Sequence, residues 1–146
     1  MSGDERAVLP GALTMRSYTS AFVTRLTERN RLPLDYSVAS LRLVDLVVDG
    51  LRRDQPRRDR VDGILLGLGA YTGEVIVRRA GGVWVDFDPA QRELFHQTVG
   101  VRMPDGRVWN PLGKVVNRFE SGSEESVQRL YLSLHGRLAR RKAVCG

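Results

Sequence analysis

Residues 64–77 read ILLGLGAYTGEVIV, and this stretch decides the fold of the chain. The stretch is apolar on every side, contains glycines at 67, 69 and 73, and carries a single charged residue, Glu74. A helix that is hydrophobic all round is buried within its protein. Each glycine inside a helix costs about 1 kcal/mol relative to alanine, so close approach of neighbouring backbones must offset that loss. We therefore expect a central helix that other elements cross tightly on its glycine side.

Glu74 needs an explanation, because a carboxylate inside a core must find hydrogen bonds and a positive charge. One interpretation is structural: an ion pair with Arg118, Lys114 or Arg42 that fixes helix packing. The other is functional: an acid, a base or a ligand for a polar group in a cleft between the central helix and the turn at 110–111. The candidate residues for this cluster are Glu74, Tyr71, Asn110, Lys114 and Arg118. A lone carboxylate does not define an enzyme, since acid–base catalysis needs a second group within reach, and the sequence assigns no catalytic residue.

The chain has 146 residues, of which 42% are hydrophobic and 27% charged, and this composition fits one globular domain. We expect a disordered lead over residues 1–10, a single domain over 11–136 and a basic tail over 137–146.

The first residues are acidic and no apolar run has the length of a membrane span, so neither a secretory signal nor a membrane contact is expected. Cys145 is the only cysteine, which excludes an internal disulfide. These features favour the cytoplasm.

The hydrophobic periodicity predicts an α+β fold, with three N-terminal helices, a three-stranded antiparallel meander and two C-terminal helices. The helices are predicted from 14 to 30, from 38 to 53, from 56 or 59 to 79, from 111 to 120 and from 124 to 141. The strands are predicted over 83–87, 95–103 and 107–109. Side chains that accept backbone hydrogen bonds favour helix starts. Ser37 and Asn110 are the expected N-caps of the second and fourth helices, and Ser121 or Ser123 that of the last.

No motif for a metal or a nucleotide is present in the sequence. His96 is predicted on the outer face of a strand and His135 in the last helix, so the two histidines and the remote Cys145 lack the spacing of zinc ligands. The glycines of 67–73 match neither the dinucleotide-binding fingerprint nor the P-loop. We expect no bound metal and no cofactor.

The basic character of the chain is concentrated in two segments. The net charge is +6; the arginine-rich segment 52–60 carries +3 and the tail 137–142 carries +4, so the rest of the chain is close to neutral. The simpler interpretation is a solvated charged surface, and the alternative is electrostatic binding of nucleic acid or another acidic partner. The candidate basic surface comprises Arg52, Arg53, Arg57, Arg58, Arg140 and Arg141.

Several short segments together resemble a family of uncharacterised bacterial, mainly actinobacterial, small proteins. They are Asp35-Tyr36-Ser37, LGAYTGEVIV at 68–77, GGVWV at 81–85, NPLGKVV at 110–116 and RFESG at 118–122. The resemblance covers about residues 33–134. It implies the extent of the domain and a bacterial origin, and it implies no activity and no catalytic residue.

The sequence favours a non-enzymatic protein-interaction or regulatory module, because the core is well specified and no catalytic pair is visible. Neutralising a toxin is one form such a role would take. One alternative is a small-ligand-binding protein or enzyme that uses Glu74 in a cleft. A second alternative is nucleic-acid binding through segment 52–60 and tail 137–142. The expected partner is another protein, and the sequence does not indicate an oligomeric state.

Overall fold

The computed structural model describes residues 11–30, 32–122 and 126–132. These residues form a mixed α+β fold, as predicted, in which helices pack with one three-stranded antiparallel sheet. The helices are a 3₁₀ turn (Ala12–Thr14), α1 (Met15–Asn30), α2 (Leu41–Asp54), α3 (Arg58–Ala80), α4 (Pro89–Phe95) and α5 (Pro111–Ser121), and residues 127–132 are also helical. The strands are β1 (Val83–Asp86), β2 (Val99–Arg102) and β3 (Val108–Trp109). The predicted lead over 1–10 and the basic tail over 137–146 lie outside the described residues.

Helix α3 is the innermost element of the fold. Its residues 67–76 are all buried, and α1, α2, α5 and the sheet pack against it. Leu68, Val75 and Ile76 are each 0% exposed. The helix ends at Gly81, whose φ of +77° is a left-handed conformation that glycine adopts without strain. The burial of the glycine-rich helix agrees with the prediction made from its composition.

Three glycines of α3 mark the places where other elements approach its backbone. Gly67 faces the ring of Phe22 on α1, and Gly73 faces the Trp84 ring from β1. At Gly69, an added Cβ would lie 2.7 Å from the Cα of Leu112, so the backbones of α3 and α5 are in direct contact there. Gly63 differs from these three, because nothing lies within 4 Å of where its Cβ would be. Close packing therefore explains Gly67, Gly69 and Gly73 but does not explain Gly63.

The segment between β1 and β2 differs from the predicted second strand over 95–103, because β2 begins only at Val99. Residues 89–95 form helix α4 rather than a break and the start of a strand. The Asp88 carboxylate accepts the N–H of Gln91 while the Gln91 side chain accepts the N–H of Asp88, and Pro89 occupies the first turn. This capping box starts a helix even in a short segment. His96 is consequently the residue that ends α4, with φ +57°, and does not lie on a strand.

The start of α2 is also later than predicted. Residues 38–40 form a turn, in which the N–H of Ser40 donates to the Ser37 hydroxyl at 3.1 Å. Ser37 therefore caps this turn, and the helix itself begins at Leu41.

A side chain of α2 fixes the start of the final helix. The Asp45 carboxylate accepts the backbone N–H groups of Val127 at 2.8 Å and Gln128 at 3.2 Å, and the Ser126 hydroxyl at 3.0 Å. A carboxylate at a helix N-terminus satisfies free N–H groups and matches the helix dipole. The Ser126 hydroxyl accepts the N–H of Arg129 at 3.2 Å. Ser126 is thus the capping serine here, whereas Ser121 belongs to α5 and Ser123 lies outside the described residues.

Two glycine-to-alanine substitutions in α3 should have opposite effects on stability. Gly69→Ala should lower the free energy of unfolding by about 1–3 kcal/mol, because its methyl group would overlap the Leu112 backbone. Gly63→Ala should raise the free energy of unfolding by about 1 kcal/mol, because it has open space and better helix propensity. Urea denaturation of both variants measures the two effects. If both substitutions changed the free energy of unfolding by the same amount and in the same direction, α3 and α5 would not be in backbone contact at Gly69.

Candidate functional site

The buried carboxylate of Glu74 is the centre of a polar cluster at the C-terminal end of α3. Glu74 is 1% exposed. Its Oε2 accepts the Nε–H of Arg78 at 2.9 Å, and its Oε1 accepts the indole N–H of Trp84 at 3.1 Å. Arg16 of α1 also reaches Oε2, with its Nε at 3.8 Å. Each carboxylate oxygen therefore has a donor, which is the condition for burying a charged group.

Tyr36 lies beside this carboxylate and has an unusual backbone conformation. Its φ is +64°, a region that residues with a side chain rarely adopt. Its N–H donates to the Tyr71 hydroxyl at 2.8 Å, and its carbonyl accepts the Nε–H of Arg79 at 3.0 Å. The guanidinium carbon of Arg78 lies 3.6 Å from the centre of the Tyr36 ring. Stacking and hydrogen bonds thus hold Tyr36 in a conformation that would otherwise be strained. We call Glu74, Arg16, Arg78, Trp84 and Tyr36 the Glu74 cluster.

Tyr71 ties the Glu74 cluster to the start of α2. The ring of Tyr71 is 0% exposed and lies 5.1 Å from the Tyr36 ring, centre to centre. Its hydroxyl shares a hydrogen bond of 2.5 Å with the hydroxyl of Ser40. Burial raises the pKa of the Tyr71 hydroxyl, while the hydrogen bonds from Ser40 and Tyr36 oppose that rise. At neutral pH the Tyr71 hydroxyl is therefore protonated and serves as a structural junction.

The structure does not pair Glu74 with Arg118 or with Arg42, two of its three expected partners. Arg118 is buried, but it pairs with α2: its Nε–H donates to Asp45 at 3.1 Å and its Nη2 to Asp49 at 2.7 Å. Arg42 lies on the exposed face of the same helix. The acids of α2 capture Arg118 because α5 packs directly against α2, whereas Arg78 reaches Glu74 from one turn along its own helix.

The other predicted members of the candidate cluster belong to the start of α5. The Asn110 side chain accepts the N–H of Gly113 at 3.0 Å, which confirms it as the N-cap of that helix. Its amide also donates to the carbonyl of Phe95 at 3.2 Å. Lys114 is half-buried in the first turn of α5. Tyr71 and Glu74 therefore share α3, whereas Asn110 caps α5 and Lys114 and Arg118 lie on that helix.

Three arginines of the predicted basic surface make contacts within the protein. Arg52 donates to the carbonyl of Phe119, Arg57 pairs with Asp59, and Arg58 pairs with Asp62 at 3.0 Å. Arg53 is exposed at the end of α2. Arg140 and Arg141 lie outside the described residues.

A pocket of about 190 Å³ lies near the N-terminal half of α3 and does not include Glu74. It is lined by Arg58, Asp62, Leu65, Leu66, Gln97, Leu112 and Val116. Ligand pockets for small molecules usually have about 300–1,000 Å³, so this one is small.

Within residues 11–30, 32–122 and 126–132, no group of three metal-ligating side chains is present. In the same part of the chain, no helix has the length and apolar character needed to cross a membrane.

The comparisons with known proteins add no relative. The chain matches no family model, no curated protein and no solved structure. The likeness to the actinobacterial family therefore stays a prediction, and the site has to be interpreted from its own geometry.

The sequence indicates Glu74 and Tyr71 as site residues, but it does not indicate most of their neighbours. Arg78 was detectable, because it follows Glu74 by four residues and such pairs meet on one face of a helix. Arg16, Trp84 and Ser40 come from distant parts of the chain, and no local pattern marks them. Tyr36 was part of the quoted resemblance, but nothing in the sequence indicates its positive φ.

Removing the Tyr71 hydroxyl should destabilise the fold at neutral pH. Tyr71→Phe leaves the Tyr36 N–H without its acceptor and removes one of the two hydrogen bonds of the Ser40 hydroxyl with protein groups, at a cost of about 1–3 kcal/mol. Because burial raises the folded-state pKa of Tyr71, its contribution is complete below about pH 10 and is lost as the pH rises further. Urea denaturation from neutral to alkaline pH should therefore show a smaller alkaline loss in Tyr71→Phe than in wild type.

Tyr18→Phe is the matched control, since burial also raises the pKa of Tyr18 but its hydroxyl makes no hydrogen bond within the described part of the chain. Its free energy of unfolding at neutral pH should change by less than about 0.5 kcal/mol. If the two variants unfold at the same urea concentration, the Tyr71 junction does not exist.

Proposed function

We propose that this protein is a non-enzymatic interaction module that binds an acidic protein partner through the outer face of its sheet. The observation that carries the proposal is a row of valines around an arginine on the sheet face opposite α3. We define this outer sheet face as Val83, Val85, Arg102 and Val108.

The strand register separates the two faces of the sheet. Trp84 is opposite Val101, and Val101 is opposite Trp109, so these side chains share the face on which Trp84 meets Gly73 of α3. Val83 is opposite Arg102, and Arg102 is opposite Val108, so these three form a row on the other face. Side chains alternate between faces along a strand, which adds Val85 to that second face.

The outer sheet face is more apolar than a solvated face requires. Val83 is 52% exposed, and Val85 and Val108 are half-buried. The ring of Phe87 covers this face at Gly100, which is opposite Val85. Antiparallel sheets with one solvated face usually place polar residues there, and clustered exposed apolar residues are typical of interaction surfaces.

The charge on this face favours an acidic partner over a second copy of the chain. Arg102 is exposed between Val83 and Val108. A two-fold dimer would set this positive patch against itself, whereas a partner with a carboxylate would complement it. The net charge of +6 supports the same preference by speeding association with acidic surfaces.

The position of Glu74 favours binding over catalysis. A general acid or base must come within hydrogen-bond distance of its substrate. Glu74 is 1% exposed, its oxygens are engaged by Arg78 and Trp84, and His96 is the residue that ends α4. We place the interaction in the cytoplasm, as the composition favours, and neutralising a toxin is one role that it would serve.

Photo-crosslinking in cells tests the proposal. A photoreactive amino acid at position 83 should form an adduct with one acidic protein, which mass spectrometry identifies. With that partner purified, Val83→Lys should weaken binding by roughly thirtyfold or more, the effect of losing a central interface residue.

Leu46 provides the matched control, because it is 55% exposed on α2, away from the sheet. A crosslinker at position 46 should give no adduct with the same partner, and Leu46→Lys should bind it as wild type does. Equal adducts from positions 46 and 83, or equal loss of affinity in both lysine variants, would contradict the proposal.

A further inference from the structure

We propose that Arg16, Arg78 and Tyr36 form a binding site for a dianionic phosphate group, free or as a monoester. Glu74 is the buried residue that positions the two arginines. The site is separate from the outer sheet face, and its test does not depend on the interaction proposed for that face.

The two arginines approach the same oxygen of the Glu74 carboxylate. Arg78 donates from Nε to Oε2 of Glu74 at 2.9 Å, and the Nε of Arg16 lies 3.8 Å from the same oxygen. A guanidinium carries five N–H donors in a rigid fork, so one held through Nε keeps its end-on pair of amino groups for a ligand. Both Nε atoms lie within 3.8 Å of one oxygen of a carboxylate that is 98% buried by side-chain area, so the two guanidinium groups are close neighbours.

The exposure of the three residues places the two guanidinium groups at the protein surface. The Arg16 side chain is 80% exposed and that of Arg78 is 36% exposed, while Tyr36 is half-buried. Stacking on the Tyr36 ring fixes the plane of the Arg78 guanidinium, with 3.6 Å between its carbon and the ring centre. Fixing donors before a ligand arrives lowers the entropy cost of binding.

The charge of the cluster is incomplete without an anion. Arg16 and Arg78 bring two positive charges to Glu74, which supplies one negative charge. The excess within the Glu74 cluster is positive. An anion would complete this balance.

Tyr36 contributes a hydroxyl donor in the same electrostatic environment. Burial raises the pKa of its hydroxyl, and the charges of Arg78, Glu74 and Arg16 also act on it. At neutral pH the hydroxyl is protonated, so it has a proton to donate to an anion. The positive φ of Tyr36 is the kind of strain that folds retain at binding sites.

The donor set fits a phosphate group better than a carboxylate. Two end-on guanidinium forks and one hydroxyl offer more N–H and O–H donors than the two oxygens of a carboxylate accept. The three free oxygens of a phosphate monoester accept such a set, and Arg forks bind them in a bidentate manner.

Titration of ¹⁵N-labelled protein with phenyl phosphate, followed by NMR, tests the site. The Nε–Hε signals of Arg16 and Arg78 and the indole signal of Trp84 should shift and saturate together. Arg16→Ala should weaken phenyl phosphate binding about tenfold, as expected for one lost charge-assisted contact. Arg78→Lys keeps the charge but loses the fork, and it should also weaken binding.

Arg25→Ala is the matched control, because it removes the same charge from an exposed position on the same helix. Its affinity should stay within about twofold of wild type. Inorganic phosphate binding as tightly as phenyl phosphate would identify free phosphate as the ligand, and tighter binding of the ester would identify a phosphorylated molecule. Shifts that do not saturate, equal affinity for acetate, or equal weakening by Arg16→Ala and Arg25→Ala would each overturn the proposal.

Discussion

The burial of one carboxylate, Glu74, on an otherwise apolar helix is the constraint on which the rest of the structure depends. Removing a charge from water costs several kcal/mol unless cations and hydrogen bonds replace the lost solvent. Three separate elements meet this requirement: Arg78 on α3 itself, Trp84 on β1 and Arg16 on α1. The same carboxylate therefore joins the central helix to the sheet and to the first helix, and it orients two arginines toward solvent.

Small residues make this arrangement sterically feasible. The absence of a side chain at Gly73 lets the Trp84 ring lie against the helix, and so lets the indole reach Glu74 one residue further along. Gly69 does the same for Leu112, which brings α5 onto α3. Burial of apolar surface on both sides then compensates the low helix propensity of glycine. The polar cluster and the core packing are thus consequences of one glycine spacing.

The features that the sequence predicts are those encoded by composition or by short-range pattern. The buried helix follows from an apolar stretch, the Asn110 cap from its position before Pro111, and the α+β class from the change of period. The partners of Arg118, and those of Glu74 beyond its own helix, could not be derived, because they depend on which elements pack together. Helix α4 was missed because its seven residues are too few to show a helical period, although its capping box is visible in the sequence.

Native-state hydrogen exchange of individual amides tests the central claim most directly. If α3 is the innermost element, the amides of residues 67–76 should exchange only through global unfolding, with the same free energy that denaturant unfolding gives. The amides of α1 and α2 should exchange at equal or lower free energies. Exchange of 67–76 well below the global free energy, or faster than the neighbouring helices, would contradict the account.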